Sequence, residues 1–380
     1  MIYDAAVIPC EEYDPQEVRS ALIAATDAVG GLGWVKPGMK IAVKCNLVSM
    51  MKPSAAATVH PVVATELCRL FTERGARVIL GDSPGGPWNA PWVNSIYTGT
   101  GIREVESAGA ELNADFSQET VSFPDGVRVK SFPFTGWLNK CDWVVDLCKL
   151  KTHALTGFTC AVKNFFGAIP GTRKPEFHYM NPQLEDFCNM LVDLNEYIKP
   201  RLTIVDAIMC MEGNGPTMGT PRHLGGIIAA GTPYSADLLG AYLIGIEPEN
   251  APTIKAAAAR GLCPESVDKL NIFGDAEALR KPDFEKLPVR EDIKFRERLP
   301  FINKFLSTAF GSGPRVNKDL CVGCGKCAEV CPRETVHVVK GKAKITAKNC
   351  IRCFCCQEFC PKGAISVHRP VLARLLGKKG

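Results

Sequence analysis

Nine of the chain's 18 cysteines lie between Cys321 and Cys360, while the other nine are scattered from Cys10 to Cys263. The crowded set repeats. Cys321, Cys324, Cys327 and Cys331, followed by Pro332, recur 29 positions later as Cys350, Cys353, Cys356 and Cys360, followed by Pro361. At the same offset Glu329 maps onto Glu358, and Val336 and Val338 map onto Ile365 and Val367. This is an internal duplication of a C-x2-C-x2-C-x3-C-P run. Two-residue gaps let a chain curl around one iron–sulfur cube with its backbone N–H groups turned toward sulfur. The fourth cysteine follows too closely to reach the same cube comfortably, so it crosses to the other. The spacing therefore predicts two [4Fe–4S] clusters, one on Cys321, Cys324, Cys327 and Cys360, the other on Cys350, Cys353, Cys356 and Cys331. A zinc ribbon would use CxxC pairs in tetrahedral S4 sites, and two complete runs each ending in Cys-Pro speak against it. Cys355 stands outside the duplication, opposite Lys326, and is expected to be a bystander rather than a ligand.

A second set of capable side chains lies upstream. The stretch from 149 to 178 carries Lys149, Lys151, Lys163, Arg173 and Lys174, with His153 and His178 among them. Cations here suit an anionic substrate, and the histidines could move protons or bind metal. The plain alternatives are lysines on an exposed loop and a histidine satisfied by its surroundings. Lys44 and Asn46, Asp82 and Ser83, and Gly213 and Gly215 are candidate cofactor contacts. Asp82-Ser83-Pro84 could equally cap or turn the chain, and Gly-Asn-Gly-Pro is a natural turn. The glycine-rich loop at 81–86 lacks both the P-loop lysine and a clean GxGxxG.

These candidates follow a pattern of elements. Short β-rich runs (KIAVKCNLV, ARVILGDS, DWVVDLCKLK, RLTIVDAIMC, LGGIIAAG) alternate with helical candidates such as HPVVATELCRLFTERG and PQLEDFCNMLVDLNEYI. Near-continuous apolar strands between amphipathic helices predict an α/β domain, its mostly parallel sheet covered by helices on both faces. Residues 115–137 break the rhythm and read as an antiparallel excursion. Ligands of such sheets bind beyond the carboxyl ends of the strands, where the candidates above fall.

Composition sets the outer limits. The chain is 46% hydrophobic and 22% charged, as in ordinary globular proteins. Its most apolar stretch, Leu224 to Ile246, is broken by Pro233 and Asp237 and makes a poor membrane span. The N-terminal residues do not resemble a signal peptide. Many cysteines without an export signal fit thiols or metal in a reducing, cytoplasmic compartment. From Arg315 onward there are 14 Lys/Arg against 4 Asp/Glu, or +10; the chain as a whole is +5, so the first 314 residues carry −5. A basic end invites a nucleic-acid reading, but it lacks aromatic interleaving or a binding motif, and no nucleic acid is expected. The expected organisation is an α/β domain over 1–281, a linker over 282–314 with a helix at FINKFLSTAF, a small α+β two-cluster domain over 315–369, and a basic tail over 370–380.

The duplicated block resembles bacterial two-cluster ferredoxins, a likeness that implies one-electron transfer. The upstream region resembles the family called domain of unknown function 362, often fused to such a module. That likeness rests on Lys149-Leu-Lys151-Thr-His153, Thr156-Gly157, Val162-Lys163-Asn164, Phe166-Gly167 and Pro170-Gly171. It continues through Lys174, His178, Asp206, the 212–216 loop and Ala236-Asp237. The resemblance implies a fold and a shared site but no agreed reaction. The expected function is an iron–sulfur oxidoreductase whose module relays electrons from a redox partner protein to the α/β site. An anionic small molecule, or a further flavin, nucleotide or metal, would be reduced there. Lys151, His153, Lys163 and His178 would bind or protonate it, with Asp206, Glu212 and Asp237 positioning a cation, substrate or water. The alternatives are an electron-transfer or maturation subunit with no catalytic site of its own, and a hydrolase or ligase with structural clusters.

Overall fold

The computed structural model describes residues 2–287 and 313–368. The helix expected at 301–310 and the tail at 370–380 lie outside the described residues, as does most of the expected linker.

The main sheet runs in the order β11-β1-β10-β9-β7-β2-β3-β4. Its strands are β1 (Ala5–Pro9), β2 (Lys40–Cys45), β3 (Arg77–Gly81), β4 (Glu111–Leu112), β7 (Trp143–His153), β9 (Leu202–Glu212), β10 (Thr220–Ala230) and β11 (Ile272–Phe273). The pairings of β2 with β3 and β7, of β3 with β4, of β7 with β9 and of β1 with β11 are parallel. Strand β10 runs antiparallel to both β1 and β9. The excursion at 115–137 is a separate antiparallel pair, β5 (Gln118–Ser122) and β6 (Ser131–Thr135). A short β8 (Gly157–Thr159) folds back on the end of β7.

Helices α1 (Pro15–Ala28), α2 (Pro61–Thr72), α3 (Ala90–Gly99), α4 (Gly136–Asn139), α5 (Ala161–Asn164), α6 (Lys174–Met180), α7 (Leu184–Ile198), α8 (Pro233–Leu243), α9 (Pro252–Ala259) and α10 (Ala276–Leu279) complete the domain. Local chemistry sets their starts: Asp14 accepts the amides of Gln16 and Glu17, with Pro15 already at the helical φ. Both α1 and α8 pack on β1 and β10 but belong to separate hydrophobic clusters, so the sheet is covered on two faces. That double cover explains the near-continuous apolar strands. Because side chains alternate along a strand, Leu147, Lys149, Lys151 and His153 share one face of β7, while Cys148 and Leu150 share the other.

The C-terminal module is small. Strand β12 (Gly313–Val316) pairs with β15 (Ile365–His368), and β13 (Val336–Val339) forms a hairpin with β14 (Lys342–Ile345). Two one-turn helices, Lys326–Glu329 and Cys355–Glu358, sit at equivalent places in the two halves.

Candidate functional site

The module holds two cavities, and the cysteines divide between them as crossed sets. One is lined by Cys321, Cys324, Cys327 and Cys360. The other is lined by Cys331, Cys350, Cys353 and Cys356, with Cys355 also on its wall. Backbone amides donate to sulfur in both: Ala343 to Cys321 at 3.3 Å, Ala364 to Cys360 at 3.2 Å, Thr335 to Cys331 at 3.3 Å and Arg352 to Cys350 at 3.4 Å. Four thiols around a void, with N–H donors turned onto the sulfurs, fit an iron–sulfur cluster, whose thiolates those donors would stabilise. Cys355 is buried beside Cys353.

The second half of the module is docked on the strand ends of the α/β domain. Phe354 joins the main hydrophobic core. Gln357 donates to Asn214 Oδ1 at 2.8 Å. Phe359 lies over Gly85, where a Cβ would fall 2.2 Å from the ring. Glu358 Oε1 lies 2.9 Å from His153 Nε2. The far side of His153 fixes its tautomer: Nδ1 accepts the amides of Leu155 at 3.0 Å and Thr156 at 3.3 Å, leaving the proton on Nε2, facing Glu358. Burial, with Lys163 nearby, pushes the His153 imidazolium down to about 4. Burial would raise the Glu358 carboxyl, but Lys163 and His153 outweigh it and hold it below the usual carboxylate range. His178 stacks on Phe187 at 4.5 Å between ring centres and is pushed to about 3, mainly by burial. It shares a small cleft with Leu155, Ile351 and Cys353, which places the Cys350–Cys353–Cys356 half against the α/β domain.

Three lysines at the strand ends are each 0–1% exposed, and they are compensated differently. Lys44 pairs with Asp82 at 2.8 Å and donates to Asn164 Oδ1 at 3.0 Å. Gly167 closes over this pair, since a Cβ there would sit 2.2 Å from Asp82 Oδ1. Lys149 pairs with Asp206 at 2.8 Å and also donates to the Tyr13 hydroxyl at 2.9 Å. Lys151 reaches only neutral oxygens, Asn46 Oδ1 at 2.9 Å and the Ala57 carbonyl. Burial, then the repulsion of Lys163, pushes Lys151 down to about 7. Lys163 and Lys174 flank the Phe166 ring at 5.8 and 5.6 Å. Lys174 donates to the Ser83 carbonyl.

The structure thus brings Lys44, Asn46, Asp82, Ser83, Lys151, His153, Lys163 and His178 to one region under the module. Asp206, Glu212 and Asp237 lie apart from it. Asp206 belongs to a satisfied network with Lys149, Tyr13 and the His60 amide. Glu212 accepts the Glu285 amide at 3.0 Å, and the Gly213 amide bonds the Glu285 carbonyl, so this end of β9 holds the 283–285 segment. Asp237 caps α5 by accepting the amides of Ala161 and Val162, and burial raises it to about 7. The Gly213 carbonyl accepts the Thr152 hydroxyl at 2.8 Å, and Gly215 passes so close to Thr152 that a Cβ would meet its carbonyl at 2.1 Å. Sequence reasoning missed Glu358 and Gln357 as contributors. Glu358 had one usable signal, as the partner of Glu329 in the duplication. Among the described residues outside the two cysteine sets, no group of three His, Cys, Asp or Glu side chains is arranged to hold a metal ion, and no described helix is long and apolar enough to cross a membrane.

An α/β sheet with an iron–sulfur module seated on its strand ends defines the class. The chain belongs to the family described as domain of unknown function DUF362, whose model matches residues 41–242, and residues 313–361 match a 4Fe-4S dicluster domain. The thylakoid-associated protein sll1697 of Synechocystis is 29% identical over 275 residues, covering 70% of this chain and 83% of that relative. Among solved structures, the lactate racemase apoprotein of Thermoanaerobacterium thermosaccharolyticum is similar with a TM-score of 0.41 and 11% identity, over 63% of this chain and 57% of that one. A Thermotoga maritima protein gives 0.35 and 16%, over 57% and 55%. The chain thus spans little more than half of either structure.

Proposed function

We propose that this protein is an iron–sulfur redox protein with a two-cluster module (315–369) relaying single electrons into the α/β domain (1–281). One [4Fe–4S] cluster is assigned to Cys321, Cys324, Cys327 and Cys360, the other to Cys350, Cys353, Cys356 and Cys331. The observation that carries the reading is the docking. The half bearing Cys353 and Glu358 faces His153 and His178 directly, with the Glu358–His153 contact at 2.9 Å. Electrons leaving that half would arrive among proton-bearing groups. Lys151 is the proton donor of choice, because it is buried without a carboxylate partner and exchanges its proton near neutral pH. With Lys163 and Lys174 it gives the region an excess of positive charge, suited to an anionic small molecule or to the phosphate of a flavin or nucleotide. A reducing, cytoplasmic setting fits a chain of 18 cysteines, eight of them assigned to the clusters.

One observation favours the second reading, an electron-transfer or maturation subunit without its own catalysis. Lys44, Lys149, Lys151 and His153 are packed at 0–1% exposure rather than lining an open cleft. The two readings part on a single experiment. Iron-loaded Lys151→Met and His153→Gln variants are reduced anaerobically, and their reoxidation by the anionic metabolites of a cell extract is timed. Loss of a proton donor predicts a fall of about a hundredfold or more at unchanged iron content. An unchanged rate in both variants favours the carrier.

A further inference from the structure

The two halves of the module are related by duplication, yet only one is used internally. In the second half, Ile351 and Cys353 line the cleft shared with His178. Their counterparts 29 residues earlier are Val322 and Cys324, and both face solvent, Val322 at 60% exposure. The helices show the same division. Cys355 is 3% exposed and the Glu358 side chain 19% exposed, whereas the side chains of their counterparts Lys326 and Glu329 are 58% and 60% exposed. The sequence differs where the roles differ. Phe354, which anchors in the main core, replaces Gly325; Gln357, which bonds Asn214, replaces Ala328; and Phe359, which covers Gly85, replaces Val330. Phe354 even keeps the left-handed backbone of its glycine counterpart, φ 62° against 82°, a conformation unfavourable for a non-glycine residue. The second half carries the docking side chains, and the equivalent face of the first half carries none of them.

We infer that the exposed Val322–Cys324 face is the docking surface for an external one-electron carrier protein with an acidic surface. This inference rests on the electron-relay reading and gives it a direction: entry at the Cys321–Cys324–Cys327–Cys360 half and exit at the Cys353 half. The face has the two properties such an encounter needs. Its centre is apolar, with Leu320 at 51% exposure beside Val322, matching the usual apolar core and polar rim of an interface. Its rim is basic: Lys318, Lys326 and Lys362 are exposed, and Lys342 is exposed where its ammonium meets the Cys321 carbonyl. The nearby acids are Asp319 and Glu329, the latter already tied to Lys326 at 2.9 Å. A positive rim around an exposed cluster edge steers an acidic partner and repels a basic one. In the transfer itself one electron moves from the reduced carrier to the oxidised cluster, and no bond or proton changes place.

The test uses the iron-loaded full chain and an acidic plant-type [2Fe–2S] ferredoxin as probe, with affinity measured by calorimetry at low and high salt. Binding is expected to weaken with salt, and to weaken at least tenfold in a Lys318→Glu/Lys362→Glu variant. Iron content and direct reduction by dithionite should not change. A control variant, Lys255→Glu/Lys269→Glu on the α/β domain, should bind like the parent. Equal weakening in the control, no weakening in the module variant, or equal binding of a basic cytochrome would each overturn the inference. The relay reading fails separately: carrier binding would survive, but the Lys151 and His153 variants would reoxidise at the parent's rate.

Discussion

Serine in place of Cys360 is expected to empty the cluster site that contains Cys321, not the one that contains Cys356. Iron should fall from about eight to about four per chain, since a serine oxygen is a poor substitute for a thiolate at an iron corner. Cys360 lies on the wall of the Cys321–Cys324–Cys327 cavity, while Cys331 lies on the other, so each half would supply three ligands to its own site and lend the fourth. Paired substitutions separate crossed from uncrossed ligation, because two lesions in one site do no more harm than one. Cys360→Ser with Cys324→Ser should keep about four irons, and Cys360→Ser with Cys353→Ser should keep almost none. The reverse ordering would mean that each run closes its own site. Cys355→Ser should keep the full complement despite its burial beside Cys353, because the other cavity wall already supplies four thiols.

The second large effect concerns docking. Phe354→Gly removes the aromatic anchor but restores the residue that the duplicated position already carries in the same left-handed conformation. The backbone should therefore tolerate it, and iron content should stay intact. Deleting a buried phenylalanine side chain costs about 3–5 kcal/mol, offset in part by about 1 kcal/mol of relieved strain. That net loss falls on the contact between module and α/β domain. Hydrogen exchange gives the readout. The amides of Leu155 and Thr156, held by His153 under the module, should exchange at least tenfold faster, while those of β2, deep in the sheet, should not change. Unaltered protection at 155–156 would mean that Phe354 does not hold the module in place.

What could be read from the residues alone depended on the range of each signal. The ligand spacing is local and repeated, so the crossed sets could be proposed before any fold was known. The parallel strands were legible too, because burial on both faces writes itself as continuous apolar runs. The strand β1 was missed: AAVIP is short, and its partner β10 lies more than 200 residues away. The antiparallel insertion of β10 into the sheet has no local signature either. At the strand ends, the string Lys149-Leu-Lys151-Thr-His153 alternates along β7, which puts its three capable side chains on one face. It says nothing about which of its lysines meets a carboxylate, and that is settled by Asp206 on the neighbouring β9, which pairs with Lys149. Asp237 has the chemistry of a site residue, but its position beneath α5 makes it a cap. Glu358 could not be placed by sequence, because its role depends on how one folded unit sits on another.

That docking is the centre of the account, and histidine-selective 15N spectra of the iron-loaded protein test it most directly. The clusters are paramagnetic and broaden nuclei close to them. His153 and His178, under the Cys353 half, should be broadened or shifted, while His60 and His223 in the α/β domain should stay sharp. Cys353→Ser should restore sharp signals for His153 and His178, whereas Cys324→Ser should leave them broadened. Sharp His153 and His178 resonances in the fully loaded parent, with broadening confined to His337 and His368 of the module, would contradict the proposed path.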